Sequence, residues 1–298
     1  MTMQVLRTPD ERFGDLPGFA YTPRYETVDG LRMAYVDEGP RDGEVVLLLH
    51  GEPSWSFLYR TMIPPLVAGG LRVVAPDLVG FGRSDKPADH ADYTYQRHVD
   101  WTRGLLDRVA LRRITLFCQD WGGLIGLRLV AEEPARFARV AASNTFLPTG
   151  DEKLPEAFFT WQRTSQEMPV LPIGRIVGFG ATKPLPPDVL AAYDAPFPDE
   201  TFKAGARAFP MLVPARPDDP ASAANRAAWA ALEAYDRPFV TLFGDQDPIT
   251  RGADAILQAR IPGARGQDHR TLKGGHFIQE DAGPELAERI LALVAARG

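Results

Sequence analysis

The chain has 298 residues, 45% hydrophobic and 24% charged, with a formal net charge of -6. That suits a globular protein with a substantial core, as one large domain or two modest ones. The basic residues are scattered, which makes nucleic acid and anionic membrane poor partners. One cysteine, Cys118, cannot form an internal disulfide. The opening stretch MTMQVLRTPDERFGD lacks the basic-then-apolar pattern of a signal peptide, and the apolar run Val45 to Leu49 is strand-sized. The expected setting is the cytoplasm.

In chain order, YETVDGLRMAYVDEG reads as two short strands joined by an Asp29-Gly30 hairpin turn. Strand-length apolar runs then alternate with helix-length segments: Glu44 to His50, Arg72 to Pro76, Ile114 to Gln119, Val140 to Asn144, Phe239 to Gly244, and Arg270 to Lys273. This pattern predicts an α/β protein with a mostly parallel sheet and helices on both faces. Functional residues are then expected just beyond the carboxyl ends of the strands. From Pro148 to Asn225 the alternation stops and prolines crowd in, as in TKPLPPDVLAAYDAPFPDE and FPMLVPARPDDP. Such a density argues against a sheet, and the Phe, Leu and Trp content favours a packed helical insertion over the strand ends.

LFCQDWGGLIG, Leu116 to Gly126, is a strand that turns on glycines into a helix with Asp120 at the tip. A turn that exposes a nucleophile needs small residues around it, here Cys118, Gly122 and Gly123. Asp120 could also be a helix N-cap, and Cys118 a buried filler. Further along, His276 follows a glycine pair and a short strand, and FVTLFGDQDPIT offers Asp245 and Asp247 beyond another. Asp247, clear of the strand, is better placed to orient an imidazole, and Asp245 to tie the turn. Nucleophile, acid and base thus follow in chain order. His50, His90, His98 and His269 read as structural.

With HGEPSWSFLYR (His50 to Arg60), DLVGFGRSDKP (Asp77 to Pro87), QDWGG (Gln119 to Gly123), AAYDAPFPD (Ala191 to Asp199), GDQDP (Gly244 to Pro248) and GGHFIQED (Gly274 to Asp281), the chain resembles an α/β-hydrolase. Within that fold it resembles the haloalkane dehalogenases, most of all the subfamily with a short proline-rich cap. HGEP together with QDWGG is the narrow part of the likeness; the Asp77 to Asp85 loop marks only the fold. The resemblance implies an eight-stranded α/β-hydrolase sheet, divided as core (1–147), helical cap (148–225) and core (226–298). It implies Asp120 as nucleophile, Asp247 and His276 as acid and base, backbone N–H groups of Glu52 and Trp121 as an oxyanion hole, and indoles of Trp121 and Trp161 as halide donors. No cofactor and no metal are expected. The partners would be a small halogenated alkane, water and the product halide, and the protein a monomer.

Aspartate makes chemical sense there. A saturated carbon has no carbonyl to polarise, so it calls for a nucleophile already charged at neutral pH. Displacement gives an ester of Asp120, which His276 can hydrolyse through an activated water. His276 has to be neutral for this, so activity should fall on acidification. Indole N–H groups can solvate a halide without offering a competing charge. Phe158, Phe159, Leu212 and Val213 are candidate cavity walls, and Trp55, Trp101 and Trp229 read as packing. An epoxide hydrolase would share the nucleophile but use cap tyrosines, of which Tyr193 is available; Trp161 stands where the first of a tyrosine pair would be. Fluoroacetate-type dehalogenases call for arginine where Trp121 stands, and an esterase for serine at the elbow. A binding protein of the same fold that has lost catalysis is the reading from another class; the intact Asp120, Asp247 and His276 argue against it.

Overall fold

The computed structural model describes residues 3–296. β1 (Val5–Leu6) leads to β2 (Arg24–Val28) and β3 (Leu31–Glu38), then β4 (Val45–Leu49), α1 (Ile63–Ala68), β5 (Arg72–Pro76), the two-residue β6 (Lys86–Pro87), α2 (Tyr95–Arg108), β7 (Ile114–Gln119), α3 (Trp121–Glu132) and β8 (Phe137–Ser143). After β8 come α4 (Glu156–Glu167), α5 (Ile173–Gly180), α6 (Pro187–Asp194), α7 (Ala204–Leu212) and α8 (Ser222–Leu232). The chain closes with β9 (Phe239–Gly244), α9 (Ala253–Arg260), β10 (Arg270–Leu272) and α10 (Ile278–Ala295).

Eight strands form one sheet in the order β10-β9-β8-β7-β4-β5-β3-β2. β3 runs antiparallel to both its neighbours, and the other pairings are parallel. β4, β5 and β7 are largely apolar because helices cover both faces: every residue of β7 is buried, Thr115 and Gln119 included. The hairpin is as predicted, with Asp29 at φ 50° and Gly30 at φ 77° joining β2 to β3. β8 starts at Phe137, three residues ahead of the expected Val140. Ala138 and Arg139 there are only half-buried, so the opening of the strand carries no continuous apolar run. β1 and β6 pair with each other apart from the main sheet.

Between β8 and β9 the described chain is helical, in keeping with its prolines. Pro155, Pro172 and Pro186 immediately precede α4, α5 and α6, where a fixed φ and a missing N–H cost nothing. Residue 225, the expected end of the insertion, falls inside α8, which packs on α3. α10 breaks at Ala282 (φ -137°), two residues before Pro284. Among the described residues no helix is long and apolar enough to cross a membrane.

Candidate active site

Asp120 sits between β7 and α3 with φ 51° and ψ -125°, a backbone conformation sparsely populated by non-glycine residues. The turn can be this sharp because of Gly122: a Cβ there would stand 1.9 Å from the Leu49 carbonyl oxygen. Its strain is held by two bonds, Asp120 N–H to the Asn144 carbonyl at 3.0 Å and the Thr145 hydroxyl to the Asp120 carbonyl at 2.7 Å. Asp120 makes no N-capping bond to α3; its carboxylate is turned away from the helix. Oδ1 accepts the Glu52 N–H at 2.7 Å, and Oδ2 faces His276 Nε2 at 3.5 Å. The Trp121 N–H opens the first turn of α3, where N–H groups have no intrahelical acceptor.

His276 and Asp247 meet as the chain order suggests, Nδ1–H donating to Oδ2 at 3.1 Å. Asp247 is fixed in turn by the Ile249 N–H at 2.9 Å and by the Thr250 hydroxyl. Asp245 ties the turn instead, accepting from Lys273 Nζ at 2.6 Å and the Gly274 N–H at 3.2 Å. Burial resists charge on Asp247, yet His276 and these donors hold its carboxyl down at about 2. Burial likewise opposes charge on His276, but Asp247 and Asp120 outweigh it and raise the imidazole to about 10. The direction runs against the expectation of a neutral histidine, because the flanking carboxylates favour the protonated ring.

Supporting residues that the sequence did not single out fix this loop. Asn144, fully buried, donates to the carbonyls of Gly275 at 2.7 Å and His276 at 3.0 Å, and accepts the Gly244 N–H at 2.8 Å. Gln119 donates to the His276 carbonyl at 3.0 Å. Asp281 accepts from Gly275 N–H (2.8 Å), Thr182 N–H (3.0 Å) and Lys183 N–H (3.1 Å), and so joins the His276 loop to the segment after α5. A polar residue one position past a strand end is the signal that could have found Asn144. Asp281 leaves none, because its Thr182 and Lys183 partners lie about a hundred residues away.

The carboxylate and imidazole open into a cavity of about 1020 Å³ whose walls include Trp121, Leu124, Phe158, Trp161, Ile176 and Val213. Phe158 and Val213 are thus wall residues as expected. Phe159 is not among them, and Leu212 faces a separate cavity of about 200 Å³. Trp161 faces the site, but its indole N–H is engaged, donating to Glu52 Oε2 at 3.0 Å. Burial and the neighbouring Asp120 push the Glu52 carboxyl well above its usual range, against the Trp161 bond and His276. Trp55, Trp101 and Trp229 donate to Ala192, Asp29 and Leu147 and are packed away from the cavity. Tyr193, the hydroxyl an epoxide hydrolase would use, is fully buried and donates to Glu280, outside the cavity. Cys118 lies sealed beneath the elbow, its thiol pushed up by burial.

The family described as the alpha/beta hydrolase fold matches residues 44–283. A haloalkane dehalogenase of Psychrobacter cryohalolentis is 58% identical over 298 residues, 98% of either chain. The chain belongs to the haloalkane dehalogenases. One from Mycobacterium marinum is 56% identical over 97% of this chain and 99% of its own. The solved haloalkane dehalogenase DpaA from Paraglaciecola agarilytica, described as tetrameric, superposes with a TM-score of 0.93 at 37% identity, covering 99% of this chain and all of that one.

Proposed function

We propose that this hydrolase of carbon–halide bonds works through an ester of Asp120. The observation that carries the reading is the line Asp120–His276–Asp247, with contacts of 3.5 Å and 3.1 Å, at the floor of a largely apolar cavity. Oδ1 is held by the Glu52 N–H, which leaves Oδ2 to attack the carbon bearing the halogen as the C–X electron pair departs with the halide. The indoles of Trp121 and Trp161 receive that ion. Ester formation removes the charge of Asp120, one of the two that hold the proton on His276, and the imidazolium then gives its proton to solvent. The neutral ring next takes a proton from water as the water oxygen adds to the ester carbonyl. Oδ1 carries the negative charge toward the N–H groups of Glu52 and Trp121, each of the kind worth about 10²–10³ in rate. The ester bond breaks, the alcohol leaves with the other water proton, and carboxylate and imidazolium return. The sum is haloalkane plus water to alcohol, halide and one proton, with no cofactor or metal.

In this reading the helices between β8 and β9 are the cap that shuts water and substrate in, and the protein is a cytoplasmic monomer. Incubation with a 1-bromoalkane should release bromide and acid in equal amounts. His276→Phe should still alkylate but not turn over, and mass spectrometry should find the alkyl group on the peptide containing Asp120. An adduct on any other residue, or none, overturns the scheme.

A further inference from the structure

An indole has one N–H, and that of Trp161 already has an acceptor in the free protein. It donates to Glu52 Oε2 at 3.0 Å, across 109 residues of sequence. Glu52 is 4% exposed, lines the same cavity, and its other oxygen, Oε1, is buried without a partner. Its own N–H meanwhile grips the nucleophile at 2.7 Å. The carboxyl therefore stands between Asp120 and Trp161, where a halide leaving carbon would have to meet the indole.

We infer that the Glu52 side chain is an internal competitor for the Trp161 N–H: it holds the indole in place while the site is empty, yields it to the halide formed in the reaction, and takes it back as the ion leaves. Glu52 is thus a positioning residue that sets halide affinity and release, in addition to its backbone role. This rests on the halide-site reading of Trp161 given above. The relative strengths favour such an exchange. Burial and Asp120 push the Glu52 carboxyl well above its usual range, toward its uncharged form, and a neutral acceptor bonds an N–H more weakly than an anion does. Newly formed halide therefore wins the donor. Once the halide leaves, the N–H returns to a partner and is not stranded in an apolar cavity. An ionised carboxylate would bond more strongly and repel the halide as well.

The test is bromide binding, read by quenching of tryptophan fluorescence, on the full chain and its variants. Glu52→Leu removes the competitor and should lower the bromide Kd about tenfold, the scale of one exchanged buried hydrogen bond. Slower halide release should lower kcat and KM together. Glu52→Met, close in length but without an acceptor oxygen, carries the test if the leucine variant does not fold, and should also tighten binding. Combining either change with Trp161→Phe should abolish the gain, which a general loosening of the site would not do. Unchanged or weaker bromide binding in both Glu52 variants, or an equal gain without Trp161, overturns the competition. If bromide fails to quench the wild type, or binds equally well to Trp161→Phe alone, the underlying halide assignment falls, and this proposal with it.

Discussion

His276 lies between two carboxylates, and its proton is held by both. The ring should titrate at about 10 in the wild type. Asp120→Ala, which deletes one of the two charges, should bring it down; NMR of labelled histidine measures both. A wild-type midpoint near 6.5 would be inconsistent with the geometry described. Because the folded value exceeds the usual one of about 6.5, the contribution of His276 to stability is complete below that pH and is lost as pH rises toward 10. Asp247 is the reverse: its contribution is present above its ordinary 3.8 and is lost as pH falls toward 2. The residue types and chain order of Asp120, Asp247 and His276 were legible in the sequence. The charge state of His276 was not, since it depends on two distances that only the folded chain defines. The Trp161–Glu52 contact was hidden for the same reason, as no periodicity links α4 to a strand-end loop.

At the level of elements, Asp281 near the start of α10 clasps the segment after α5 to the loop that carries His276. The Thr182 hydroxyl adds a bond at 2.7 Å to the backbone donors already named. Bonds to a charged acceptor are each worth about 1.5–3 kcal/mol, so Asp281→Ala should lower Tm by several degrees. It should also speed proteolysis between α5 and α6 and lower kcat as the imidazole loses its alignment. A variant with unchanged Tm and kcat would show the clasp to be idle. The central strands were readable because burial on both faces forces a nearly continuous apolar run. β1 and β6 were not, being two residues long and paired across eighty positions. The proline-rich stretch announced helices and denied strands, yet the order of α4 to α8 around the cavity follows from packing that no local pattern encodes.

For the whole molecule, the large apolar side chains left exposed among the described residues are Val5, Val170, Phe179, Met211 and Ile256. Phe179 and Ile256 belong to the rim of the cavity, so they face arriving substrate, and the others are single. For the monomer proposed above, light scattering should return a mass near 32.8 kDa; four times that value would match the tetrameric description of DpaA instead. The fold family was visible in motifs spread along most of the sequence, whereas the state of assembly depends on surface shape that motifs do not record. The lone thiol at Cys118 has a practical corollary. It is buried in β7 and disinclined to ionise, so thiol-directed reagents at neutral pH find nothing to attack in the native chain. A cysteine introduced at the rim, at Phe179 for instance, would be the single reactive handle, and a dye or spin label placed there would report on traffic through the entrance with no background to subtract.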